Sequence, residues 1–245
     1  LIRFGRVVSS LLFFVVLYGS GLAVSLYALA FARASSARLM AVGAGWARFN
    51  LAVLAVLCGV RVKREGWESL PASGVLAGQH QSELDILVLL AYLPAPTFVL
   101  KQELLKMPLF GACLRPAGMI PIDRDGAAPA LRGMVKAARG ALAAGRTIVI
   151  FPQGTRVAPG VRAALQPGVA ALAAITGAGV IPMTVDSGRC WGGKGLVIMP
   201  GVVTMRVLPA LAPGLGRVAL LEALAAAYYG ATPSPLVGAG RGGGE

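Results

Sequence analysis

The run Gly78-Gln79-His80-Gln81-Ser82-Glu83-Leu84-Asp85 holds the only histidine of this 245-residue chain, with an aspartate five positions downstream. Imidazole is the one side chain whose ordinary pKa lets it accept and return a proton near neutral pH. A carboxylate on one ring nitrogen would fix the tautomer and stabilise imidazolium, leaving the other nitrogen to take a proton from a hydroxyl. Spacing dictates where such a pair must sit. On a continuous helix, residues five apart are about 140° out of phase. His80 must therefore precede a helix for Asp85, in its first turn, to reach back to the ring. Ser82 and Asp85 also have the spacing of a capping box, a competing role for the aspartate that the sequence leaves open. A lone histidine filling space at a strand end is the plain alternative.

The flanking residues supply the required elements. Gly74-Val75-Leu76-Ala77-Gly78 is short, apolar and bounded by glycine, which predicts a buried strand. Ile86-Leu87-Val88-Leu89-Leu90 predicts a helix opened at Ser82. His80 then lies on the strand-to-helix turn.

Three further segments have the same strand-then-turn character. Gly118-Met119-Ile120-Pro121-Ile122-Asp123-Arg124 reads as a strand ending in an Asp-Arg pair. Phe151-Pro152-Gln153-Gly154-Thr155-Arg156 follows an apolar strand with a Pro/Gly turn. Val180-Ile181-Pro182-Met183 is a third strand. Residues 148–151, 196–199 and 202–205 also read as strands, and residues 128–144 and 167–176 as helices. Strand–helix alternation predicts an α/β domain with a mostly parallel central sheet flanked by helices. In such sheets ligands collect at the carboxyl ends of strands, so His80, Arg124 and Arg156 converge on one rim.

These blocks, in this order, resemble those of the bacterial 1-acyl-sn-glycerol-3-phosphate acyltransferase family, glycerolipid acyltransferases with an HxxxxD motif. The resemblance covers residues 78–183 and extends to the apolar N-terminus, which is similar to the family's membrane anchor. It implies that His80 is the base, that Asp85 orients it, and that the substrate hydroxyl attacks an acyl thioester directly. By matching position, Arg156 and Arg124 would bind the acceptor phosphate, with Lys101 as a further cation. Gly118, Asp123, Pro152, Gln153, Gly154, Thr155 and Pro182 complete the blocks. The third block departs from the family pattern, since Gln153 stands where glutamate is usual. Glutamine keeps a carbonyl acceptor and loses the charge, which favours hydrogen bonding or turn support over acid chemistry. It also leaves open an acceptor other than lysophosphatidic acid, such as lyso-ornithine lipid. A third reading, from a different class, is a membrane-surface lipid-binding protein without catalysis.

Composition agrees with a lipid partner. The formal charge is +13 and the mean hydropathy +0.74, a pairing that an anionic lipid surface satisfies. Charged residues make up only 13% of the chain and are scattered, which argues against nucleic acid. Residues 7–32 carry no charge and exceed the roughly 20 apolar residues that span a bilayer core. Residues 39–60 are apolar but interrupted by Arg48 and Asn50, and read as a helix packed on the first or lying in the interface. The expected organisation is an anchor over residues 1–60, an acyltransferase domain over 61–237 and a Gly-rich disordered tail over 238–245. Cys58, Cys113 and Cys190 form no metal-ligand or disulfide spacing. They suit a reducing compartment, which puts the domain on the cytoplasmic side, and the resemblance implies that the membrane is a bacterial inner one. No metal and no cofactor beyond the acyl-CoA or acyl-carrier-protein co-substrate is expected.

Overall fold

The computed structural model describes residues 2–30, 35–123, 127–176, 179–192 and 195–230. Two long helices, α1 (Ile2–Ala30) and α2 (Ser36–Cys58), open the chain. The rest alternates β1 (Val60–Glu65), β2 (Gly74–Gly78), α3 (Glu83–Tyr92), β3 (Thr97–Lys101), α4 (Phe110–Leu114), β4 (Ile120–Ile122), α5 (Ala127–Ala143), β5 (Thr147–Ile150), α6 (Gly168–Thr176), β6 (Ile181–Val185), β7 (Gly201–Val207) and α7 (Arg217–Tyr229).

The strands form one sheet in the order β1-β7-β6-β2-β5-β3-β4. Among the described residues, every pairing is parallel except β6 with β7. The β2 strand, near the middle, is buried at all five positions, as a parallel strand covered on both faces must be. Its side chains alternate between two cores. Leu76 joins Leu54, Leu84, Leu89 and Met183 beneath α2 and α3. Val75 and Ala77 join Ile148, Met134, Leu172 and Leu224 beneath α5, α6 and α7. At about 1.5–3 kcal/mol for each large apolar side chain buried, these two layers hold the sheet flat against its helices and fix its rim. Strand β1 is an edge strand and carries four charged residues, which discourages pairing with another chain.

Arg48 and Asn50, which interrupt the second apolar helix, both donate hydrogen bonds within the protein. Asn50 Nδ2 donates to Ser20 Oγ at 3.2 Å and to Trp46 O at 2.9 Å, while Trp46 Nε1 donates to Ser20 Oγ at 2.9 Å. Arg48 Nε donates to Ala91 O at 3.0 Å, in the last turn of α3. The second apolar helix is thus packed on the first and on the domain.

One expected strand is absent. Residues 196–199 form an extended loop instead. Ile198 N donates to Ser10 Oγ at 2.9 Å and Met199 N to Cys190 O at 2.8 Å, so the loop bonds to α1 and to its own approach rather than to a ladder. Ile198 packs under α1, while Leu196, Val197 and Met199 face outward. The expected tail, residues 238–245, lies outside the described residues.

Candidate active site

Strands β6, β2 and β5 are adjacent and parallel, so their carboxyl ends open on one rim. His80 follows β2, Gln153 follows β5 and Ser187 follows β6. Gly78 makes the approach possible, because a Cβ there would come 3.0 Å from Met183 Cε and 3.2 Å from Phe151 Cε1.

His80 Nδ1 lies 3.0 Å from Asp85 Oδ2. That same oxygen accepts the backbone N–H of Gln81 at 2.7 Å and of Ser82 at 2.9 Å. Ser82 Oγ in turn accepts from Leu84 N, and the reciprocal box at the start of α3 is complete. The two candidate roles of Asp85 are therefore held by one carboxylate at once. Its other oxygen, Oδ1, accepts the Ser187 hydroxyl at 2.5 Å. Asp85 is fully buried, and each of its other partners is a donor, so Nδ1 carries the ring proton and Nε2 presents the lone pair. The imidazole also stacks on Phe151, with centroids 4.2 Å apart and planes at 20°.

The backbone of His80 is pinned on both sides. Its N–H donates to Gln153 Oε1 at 2.8 Å, and its carbonyl accepts from Val157 N at 2.8 Å. Gln153 is buried, and its Nε2 donates to Tyr229 Oη at 2.9 Å. Both ends of the amide are thus engaged within the protein. Gln79 Oε1 accepts from Val185 N at 3.3 Å and Gln81 Oε1 from Gly188 N at 3.0 Å, tying the His80 turn to the end of β6.

Arg156 is exposed and pairs through Nη1 with Glu83 Oε1, in the first turn of α3, which brings its guanidinium to the His80 rim. The turn before it needs Gly154, which has a φ of 71°, a left-handed conformation that glycine adopts without strain. Pro152 is buried and its carbonyl accepts from Gln166 N at 2.7 Å, while Thr155 is exposed. Lys101 ends β3 and is exposed. It stands two strands from β2, roughly 10 Å along the rim at the usual strand spacing. Asp123 follows β4, one strand further out. Gly118 turns the chain into β4 beside the Arg146 guanidinium, whose Nη2 donates to Ala117 O at 2.8 Å. Pro182 lies within β6 opposite Ala77. Arg124 lies outside the described residues.

Other chemistries find less support. Burial pushes the Cys113 and Cys190 thiols up, away from the thiolate that a nucleophile needs. Among the described residues, no three His, Cys, Asp or Glu side chains are grouped to hold a metal ion. Ser187 and Tyr229 support the site without having been expected there, and Phe151, which opens the third block, stacks on His80. Ser187 stands 102 residues from the carboxylate it meets, and nothing in its neighbourhood marks it. The signal for Tyr229 lay in the Leu220, Leu224, Tyr228 repeat, which is the buried stripe of α7.

A family model described as Acyltransferase matches residues 61–186. The chain is 33% identical to a 1-acyl-sn-glycerol-3-phosphate acyltransferase of Pseudomonas aeruginosa, over 76% of this chain and 73% of that protein. It is 38% identical to one of Helicobacter pylori, over 41% of this chain and 42% of that protein. Its fold is that of the crystal structure of the 1-acyl-sn-glycerophosphate (LPA) acyltransferase PlsC of Thermotoga maritima. The TM-score is 0.71 at 19% identity, covering 94% of this chain and 95% of that one.

Proposed function

The chain belongs to the acyltransferase family, and we propose that His80 is the base with which it acylates the free sn-2 hydroxyl of lysophosphatidic acid. The product is phosphatidic acid, a step of phospholipid biosynthesis. The observation that carries this reading is the His80–Asp85 pair, to which the donors around Asp85 assign a ring proton on Nδ1, leaving the lone pair of Nε2 for the substrate. The acceptor hydroxyl gives its proton to Nε2 as its oxygen attacks the thioester carbonyl carbon. Collapse of the tetrahedral intermediate breaks the carbon–sulfur bond. The departing thiolate, of coenzyme A or of acyl carrier protein, takes the proton back from the imidazolium. Asp85 stabilises that transient cation.

Guanidinium groups suit the acceptor phosphate through paired, charge-assisted hydrogen bonds. Arg156 fills that role beside His80, exchanging Glu83 for the phosphate when the acceptor arrives. Lys101 serves as a further cation along the rim, and Arg124, by its match to the second block, as another. Gln153 supports the His80 turn rather than taking part in proton transfer, because both ends of its amide are engaged within the protein. Its presence in place of glutamate then carries no message about the acceptor.

The protein associates with membranes through its two apolar helices. We read that association as a seat in one leaflet, on the cytoplasmic side of the bacterial inner membrane. Support comes from contacts along α1: Ser10 Oγ accepts from Ile198 N, and Ser25 O accepts from Cys113 Sγ at 3.9 Å. These points are about 22 Å apart along the helix, and a crossing helix would draw the domain into hydrocarbon with it. The outward face of α1, with Phe4, Val15 and Tyr18 each about 70% exposed, supplies the apolar surface that a leaflet covers.

The test is acylation by purified protein in mixed micelles, with lysophosphatidic acid and lyso-ornithine lipid offered in parallel to acyl-CoA and acyl-carrier-protein donors. A preference for the phosphate-bearing acceptor is expected. A preference for the phosphate-free one overturns the substrate assignment.

A further inference from the structure

Tyr229 closes α7, beyond the span that the family model matches, yet it reaches the centre of the site. Its hydroxyl oxygen accepts from Gln153 Nε2 at 2.9 Å and from Ala163 N at 3.3 Å. The far end of the same amide, Gln153 Oε1, accepts the His80 N–H at 2.8 Å. Only one orientation of this buried amide pairs both ends. Rotated by half a turn, its NH2 would face the His80 N–H, donor against donor. The orientation is thus set by the His80 backbone donor, and the Tyr229 hydroxyl, accepting at the far end, holds the amide in it.

We infer that Tyr229 is a positioning residue: its hydroxyl holds Gln153, and through Gln153 the backbone of His80, so that the imidazole meets both Asp85 and the substrate. The inference rests on His80 as the base. It also accounts for the departure at position 153. A carboxylate there would accept from the His80 N–H and from the Tyr229 hydroxyl, which turns from acceptor to donor. The hydroxyl serves an amide or an acid equally, and a phenylalanine serves neither. Without the hydroxyl, a buried amide loses one bond, whereas a buried carboxylate loses a donor and keeps its charge, which costs more.

A second contact separates the hydroxyl from the general docking of α7. Arg162 Nη2 donates to Tyr229 O at 3.1 Å and its guanidinium lies 5.6 Å from the Tyr229 ring. Arg162 therefore anchors the end of α7 through the Tyr229 carbonyl and ring rather than through its hydroxyl.

The experiment measures kcat and KM for Y229F, R162Q, Q153E and the Q153E/Y229F double variant on the full chain. Y229F should lower kcat about 5- to 30-fold, the loss of one buried hydrogen bond, with KM for lysophosphatidic acid within about twofold. R162Q should keep the wild-type kcat. The penalty of Q153E should be at least about tenfold larger in the Y229F background than alone. Wild-type kcat in Y229F, or a Q153E penalty equal in both backgrounds, overturns the inference. So does an R162Q loss matching that of Y229F, which would assign the effect to α7 docking. H80A in the same assay judges the base separately, because full activity there removes that assignment while these ratios are still read independently.

Discussion

Asp85 Oδ2 lies 3.0 Å from His80 Nδ1 and simultaneously closes the amino-terminal cap of α3. One carboxylate thus meets the imidazole and starts the helix that buries Leu84, Leu87 and Val88 beneath the sheet. The two functions separate by substitution. D85N keeps a carbonyl acceptor for the cap but removes the charge that stabilises imidazolium, so kcat should fall about 10²- to 10⁴-fold with little change in melting temperature. D85A should add a stability loss of about 1–2 kcal/mol as the cap disappears. Steady-state kinetics beside thermal melts check both. A D85A variant as stable as D85N would disprove the shared role.

Arg156 is paired with Glu83, so on the proposed role the acceptor phosphate must compete with that carboxylate for its guanidinium. R156Q should raise KM for lysophosphatidic acid about 10- to 100-fold, the equivalent of a charge-assisted hydrogen bond of roughly 1.5–3 kcal/mol. E83Q should act in the opposite direction and lower KM several-fold, because the acceptor phosphate no longer competes with a carboxylate. Parallel KM measurements over a range of lysophosphatidic acid settle the signs. Equal KM in R156Q and the parent chain would remove Arg156 from acceptor binding.

Much of this site was legible in the chain because its parts lie close together in sequence. The strand over residues 74–78, the turn at His80 and the cap at Ser82 are consecutive, and each has a local physical signature. The polar blocks follow strands that the sequence marks by short apolar runs. What escaped was set by distance or by masking. Ser187 and Tyr229 reach the site from far along the chain, through the order β6-β2-β5 and the docking of α7. Strand β1 hid behind its charges, which suit an edge. Residues 196–199 form a short apolar run like a strand, but Ile198 packs under α1, a tertiary partner that no local pattern names.

Tyr228, beside Tyr229, ties α7 to the sheet under the site. It is buried, its hydroxyl donates to Ala77 O at 2.8 Å, and burial raises its pKa well above the usual value for tyrosine. A raised folded-state pKa contributes stability that is complete below the unfolded value of about 10 and is lost as pH rises above it. Y228F should be less stable at neutral pH by about 1–2 kcal/mol, because the Ala77 carbonyl loses its donor. Its stability should also decline less steeply above pH of about 10. Denaturant midpoints across pH 8 to about 11 read both effects, and parallel curves for the two proteins would contradict the assignment.

Membrane depth along α1 distinguishes a helix seated in one leaflet from one that crosses. Phe4 and Leu26 both face outward and lie about 33 Å apart along the helix. Fluorophores at cysteines placed there, with Cys58, Cys113 and Cys190 replaced by alanine, should be quenched equally by brominated lipid confined to one leaflet. Val218, exposed on α7 at the other face of the sheet, should escape quenching. Quenching of only one end of α1 would mean that it crosses.

The central claim is that one imidazole carries the proton transfer. Because His80 is the only histidine in the chain, H80A removes every imidazole from the protein with one substitution. Its initial rate of thioester-dependent acylation of lysophosphatidic acid, with folding checked by circular dichroism, is the most direct measurement. The account predicts a rate at least about 10²-fold below the parent chain in a protein with the parent's spectrum. A folded H80A protein that acylates lysophosphatidic acid at the parent rate would contradict it.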